Sequence, residues 1–200
     1  MKLLKNNFYD IVKLFINQVG ITIFSFFIYT AVASMFSDAE SRSAKELVIL
    51  FLLSLFATLF YFALIYTVAW DYGAKDKIRI DSGRQECDKL KGFKLALYAN
   101  AINYFFAIIG ALVMLIHTLA ENDFCKTVGS LFVIILRFIA SMYHGMLTCL
   151  DSVFRDINVQ VLVQSVGYVI AITLAVFVTH FGYTRGLKEK RFFKPKPKQN

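Results

Sequence analysis

The chain has 200 residues, 58% of them hydrophobic and 16% aromatic, with mean hydropathy +0.58 and prolines only at Pro195 and Pro197. Soluble domains hold roughly 45–50% apolar residues, so this composition excludes a water-soluble fold for most of the chain and makes lipid its solvent. The net charge of +8 does not indicate nucleic acid as a partner, because no nucleic-acid-binding motif accompanies it.

A bilayer core of about 30 Å takes roughly 20 helical residues to cross. Ahead of the first apolar run, Leu4, Phe8, Val12 and Phe15 share one helical face with Lys2, Lys5 and Asp10 elsewhere. This segment is either an interfacial helix or the extension of the first span. The first span is expected at about 16–36. Lys2 and Lys5 before it, and Ala31-Val32-Ala33 ahead of Ser34, resemble a secretory signal. The apolar stretch exceeds the 7–15 residues of a signal core, so it reads as an uncleaved span. Uncharged runs then cover 47–70, 95–119 and 161–183. All four are expected to be helices, because lipid leaves the backbone no outside hydrogen-bond partner. They lack the every-second-residue alternation of a membrane barrel. The expected fold is therefore an all-α integral membrane protein, a single transmembrane bundle over residues 1–200.

Lys and Arg concentrate in three segments, at the N-terminus, in the loop after the second run and in the tail 184–200. The positive-inside rule places these in the cytoplasm, with 17 basic and seven acidic residues against five and seven on the other side. That assignment needs an even number of crossings. The stretch 128–150 is long enough to make a fifth, but it carries Arg137 near its middle and His144 beyond it. An arginine at mid-membrane costs about 2.5–3.5 kcal/mol on insertion scales, and a fifth crossing would translocate the basic tail. Residues 121–160 are therefore read as an outer-face excursion whose helix is re-entrant, interfacial, or packed on the bundle with Arg137 snorkelling outward. Arg137 is its functional candidate.

An internal echo agrees with this count. Gly73-Ala74-Lys75-Asp76-Lys77 follows the second run and Gly186-Leu187-Lys188-Glu189-Lys190 follows the last. Phe8 and Phe93 each begin a helix with amide side chains about two turns on. The two offsets differ by about the length of the 128–150 segment, as expected of a parallel two-fold repeat with an insertion on the outer side.

The ordinary account of the echoed motif is that glycine ends the helix in a left-handed conformation while Lys complements the helix C-terminus and reaches headgroups. The sharper reading makes Trp70, Gly73, Lys75, Asp76, Lys77, Arg79 and Arg84, with Gly186, Lys188 and Lys190, a contact surface for a cytosolic partner or a lipid headgroup. The tail, with Phe192-Phe193 and Lys-Pro-Lys-Pro-Lys, is expected to lie along the anionic inner leaflet.

Catalytic signatures are missing. The topology puts His117 and His144 toward the outer face and His180 toward the inner, so they cannot make one three-His site, and no zinc-protease, nucleophile-elbow, phosphate-loop or dinucleotide fingerprint occurs. The spans hold no Asp or Glu, whereas ion relays in membranes usually depend on them. Asn17, Gln18, Asn100, Asn103 and Gln164 are expected to bond between helices, and Gly110, Ala111 and the pair Gly167-x-x-x-Ala171 to permit close approach. No catalytic residue, metal site or cofactor is assigned. Cys125 and Cys149 on the outer face are candidates for a disulfide.

The stretch Trp70 to Arg84 resembles small uncharacterised multispan membrane proteins of Gram-positive bacteria, a likeness covering about 15 residues. It implies a multi-pass protein of the bacterial plasma membrane and no particular activity. Together these features lead us to expect a non-enzymatic accessory or assembly subunit of a larger membrane complex, or alternatively a channel or transport subunit whose path forms on oligomerisation. The expected partners are anionic lipid and another membrane protein or a second copy.

Overall fold

The computed structural model describes residues 7–35, 44–151, 153–154 and 156–189. Lys190, the tail beyond it and the end of the first span at Phe36 lie outside the described residues. The described chain is helical: α1 (Phe8–Met35), α2 (Ala44–Asp81), α3 (Lys91–Ala99), α4 (Ala101–Ala120), α5 (Asp123–Ile139), a single 3-10 turn (Ser141–Tyr143), α6 (His144–Asp151) and α7 (Ile157–Leu187). Four of these helices, α1, α2, α4 and α7, are long and apolar enough to cross a membrane. The protein is an all-α multi-pass membrane protein.

Its side chains are sorted for lipid. Phe24, Phe27, Phe56, Leu112 and Phe177 are exposed, while Gln18, Thr22, Ser54, Thr58, Asn103 and Ser165 are buried. Lipid tails are as apolar as leucine, so helices in a bilayer associate through close packing and internal hydrogen bonds.

The largest interface joins α2 and α7, which run parallel. On α2, Ala57, Tyr61, Ile65, Ala69 and Tyr72 are buried at helical spacing, and α7 answers with Tyr168, Ile172, Ala175, Thr179 and Tyr183. The helices meet most closely at glycine. A Cβ on Gly73 would collide with the Tyr183 carbonyl and lie 2.9 Å from the Leu187 amide nitrogen; one on Gly186 would collide with the Trp70 carbonyl. Ala69-x-x-x-Gly73 and Gly182-x-x-x-Gly186 thus form a reciprocal small-residue seam. The two echoed glycines face each other across it.

This corrects the reading of those glycines as helix ends. α2 continues through Gly73 to Asp81 and α7 through Gly186 to Leu187, because both glycines are spent on helix approach. The terminating glycine is Gly83, at φ +70°. There the amides of Gly83 and Arg84 return to the carbonyls of Ile80 and Arg79, closing the helix with a left-handed cap. The N-terminal segment from Phe8 onward is the extension of the first span, not a separate interfacial helix. The third span breaks at Asn100, whose Nδ2 donates to the Ala96 carbonyl and whose Oδ1 accepts from Asn103. These two amides bond within their own helix pair rather than between spans.

The segment 128–150 is not one helix. Asn122 caps the start of α5, accepting from the amides of Phe124 and Cys125, and α5 then runs antiparallel to α4, with Gly129 against Met114 and Phe132 against Gly110. Its far end lies beside α1, where Gln18 and Thr22 both donate to the Ile139 carbonyl, at 3.4 and 3.0 Å. After the 3-10 turn, α6 heads back: Met142 lies by Ser54 and Thr58, Gly145 by Leu50 and Ser54, and Cys149 by Leu47. The segment therefore enters the bundle, turns at the level of Thr58 midway along the second span, and returns to its starting end. Gly167, read as a helix-approach residue, admits Leu147 of the returning arm. No disulfide joins Cys125 and Cys149, and the Cys149 thiol donates to the Leu47 carbonyl.

Two predictions follow from this packing. Gly73→Ala should lower the melting temperature in detergent by the equivalent of about 1–3 kcal/mol, because backbone must move to admit the methyl. Gly20→Ala should leave it unchanged or slightly raised, since nothing lies within 4 Å of that position. The pair Ser54→Ala with Thr58→Val strips the Met142 carbonyl of both donors; faster amide exchange confined to 139–148, with the α2–α7 amides still protected, is the expected readout.

Candidate functional site

At the end of the bundle where α1 and α3 begin and α2 and α7 end, Asp76 is 2% exposed and Lys91 6%. Lys91 Nζ lies 2.7 Å from Asp76 Oδ2, and the Tyr183 hydroxyl donates to the same oxygen at 2.9 Å. Arg79 Nη1 stands 3.6 Å from Oδ1. Three elements converge here for local reasons. The uninterrupted helix through Gly73 carries Asp76 inward one turn later, Gly92 fits against the Tyr183 ring, and that fit brings Lys91 onto the carboxylate. A buried charge is tolerated when paired and hydrogen-bonded. Held by Lys91 and Tyr183 on Oδ2 and faced by Arg79 on Oδ1, Asp76 ties α2, α3 and α7 together.

The predicted contact residues divide accordingly. Trp70, Gly73, Asp76 and Gly186 are used in packing or the ion pair, Lys75, Arg84 and Lys188 face outward, and Arg79, 58% exposed, reaches back from the surface to Asp76. Lys77 pairs with Asp81 at 2.5 Å on the surface. Lys91 and Tyr183 complete the cluster and were not picked out by sequence reasoning. Nothing in the spacing distinguishes Lys91 from the other basic residues near it. In the adjoining loop, Lys94 donates to Asp88 at 2.8 Å and the Leu90 amide to its other oxygen. The Lys94 bond, foremost, holds the Asp88 carboxyl below its usual range against mild desolvation. The contribution of this pair to stability is present above the ordinary carboxylate pKa and lost as pH falls through the lowered one.

The second site surrounds Arg137. Its Nε and Nη2 both donate to Gln164 Oε1, at 3.3 and 2.9 Å. The sequence marks Gln164 as an interhelical bonding residue, and the fold supplies Arg137 as its partner. Arg137 separates two clefts, one toward α7 and one toward α1. The histidines are far apart in role: His117 Nδ1 bonds the Asn122 carbonyl at 3.0 Å, His144 lies tilted against Tyr29 at the re-entrant turn and not on the outer face, and His180 and Phe93 meet edge to face. Among the described residues no three His, Cys, Asp or Glu side chains group to hold a metal. The chain matches no protein-family model, no curated protein and no solved structure.

The Asp76–Lys91 pair generates a test by double-mutant cycle. Asp76→Leu or Lys91→Met alone should cost about 3–5 kcal/mol, because each strands the opposite charge, while the double variant recovers most of that loss. Thermal melting of the four proteins in one detergent gives the coupling.

Proposed function

We propose that this protein is a non-enzymatic plasma-membrane subunit that works by assembly with a larger membrane complex, using the α2 extension and its neighbours as a cytoplasmic docking surface. The observation that carries the reading is the rigid projection of α2 beyond its apolar run, from Asp71 to Asp81. At 1.5 Å per residue this extends about 16 Å. The buried Asp76–Lys91–Tyr183 cluster fixes it in place. Lys75, Arg79 and Arg84 are thereby presented on a preorganised surface, joined by Lys188 from α7. A fixed cationic surface favours an acidic protein partner or the anionic inner leaflet, since ordering costs little on binding.

Placing this end in the cytoplasm follows the distribution of Lys and Arg. The interior supports a scaffolding role, because Tyr61, Tyr143, Tyr168, Met114 and Met142 fill the space between the helices. A second reading, a channel or transport subunit, draws on the re-entrant hairpin, since non-helical backbone at membrane depth also builds ion and substrate paths. In that reading the path forms between copies.

Purification in mild detergent with mass spectrometry of the co-eluting proteins tests the choice. A stoichiometric second protein that is released by Lys75→Glu with Arg84→Glu is expected. A homogeneous homo-oligomer lacking any other protein would sink the assembly reading in favour of the channel. For orientation, the exposed thiol of Cys87 should react with an impermeant maleimide only after the membrane is opened.

A further inference from the structure

Two lateral clefts share Arg137 as a wall. The larger, about 330 Å³, lies between α5 and α7 and is lined by Lys126, Ser130 and Arg137 on one side and Asn158, Gln160 and Gln164 on the other. The smaller, about 280 Å³, lies toward α1 beside Phe26, Tyr29 and Phe138. Among the described residues no carboxylate lines either cleft. Lys126, Ser130 and Arg137 stand at i, i+4 and i+11, within about 40° of one another around the helix. They form one polar stripe running inward from the end of the bundle where α5 begins.

Among the described residues the charge of Arg137 meets no carboxylate. Arg137 spends two donors on a single neutral oxygen of Gln164, and no ion pair involves it among the described residues. A guanidinium carries five N–H donors in a planar fork suited to two oxygens of one anion. Gln164 is eight residues beyond the Asp156 cap of α7, which sets this group about 12 Å into the helical span. A cation held at such depth beside a cleft calls for an anionic occupant.

We infer that the Arg137 cleft binds the phosphate of an anionic phospholipid from the leaflet at that end of the bundle. The guanidinium takes the phosphate oxygens, and Lys126 at the mouth draws the negative headgroup in. The walls favour an amphiphile over a free ion, because Ile134, Ile157 and Val161 share the cleft with the polar groups. Leu131, Ile134 and Phe138 beside it are 51%, 49% and 54% exposed, which gives the acyl chains an apolar bed continuous with the bilayer.

Native mass spectrometry of the full chain in mild detergent, titrated with dioleoyl-phosphatidylglycerol or dioleoyl-phosphatidylcholine, tests this site. Wild-type protein should retain phosphatidylglycerol in preference to phosphatidylcholine. Arg137→Gln should weaken that retention about tenfold, as expected for loss of a charge-assisted contact. Lys126→Gln should weaken it by a smaller factor, and Lys75→Gln at the opposite end should leave this high-affinity lipid in place. Equal retention of the two lipids, or unchanged retention in Arg137→Gln, overturns the proposal. Where Arg137→Gln yields no folded protein, Lys126→Gln decides alone, and unchanged retention there overturns it. Displacement of the lipid by an equal concentration of inorganic phosphate would show a free-anion site and overturn the lipid assignment.

Discussion

A polypeptide that turns around inside a bilayer leaves carbonyls with no intrahelical partner and no water to replace it, and each such group costs several kcal/mol if left alone. Here that constraint falls on Ile139 and Met142, where α5 gives way to α6. Gln18 and Thr22 from the first span answer the Ile139 carbonyl, and Ser54 and Thr58 from the second answer Met142. The Ser141 hydroxyl in turn donates to the Thr22 carbonyl. Gln18, Thr22, Ser54 and Thr58, four of the polar residues of the first two spans, are therefore explained by the turn they enclose. Glycines complete the fit, with Gly145 on α2, Gly129 on α4 and Gly167 beneath Leu147.

The other end of the molecule depends on the parallel α2–α7 seam. Because Gly73 and Gly186 let the helices touch, the side chains one turn on are brought together, and Tyr183 reaches Asp76 across the seam. Close approach, buried ion pair and rigid extension are thus one structure. The ion pair is more valuable as an orienting device than as a source of stability, since desolvation offsets much of its Coulomb energy.

Much of this architecture was legible in the sequence. Uncharged length located the four spans, and charge parity with Arg137 turned an apparent fifth crossing into an excursion. Some features were not legible, for physical reasons. Glycine after an apolar run both ends helices and admits neighbours, so Gly73 and Gly83 look equivalent until packing separates them. A hydroxyl within a span has two outlets. Thr30, Thr67 and Thr179 bond their own helix at i−4, whereas Thr22 and Thr58 reach another segment, and local sequence does not distinguish them. The stripe of Lys126, Ser130 and Arg137 was present as a helical spacing, but its facing partner on α7 emerges only from the fold.

The order of these pieces along the chain has a consequence for biogenesis. The four side chains that donate to the Ile139 and Met142 carbonyls belong to α1 and α2, and those carbonyls come 84 to 121 residues later. During synthesis the receptor for the turn exists before the turn has left the ribosome. The last helix, α7, then closes over the returning arm through Leu147 and Gly167. Vectorial translation itself thus spares the hairpin a period of lying uncapped in lipid.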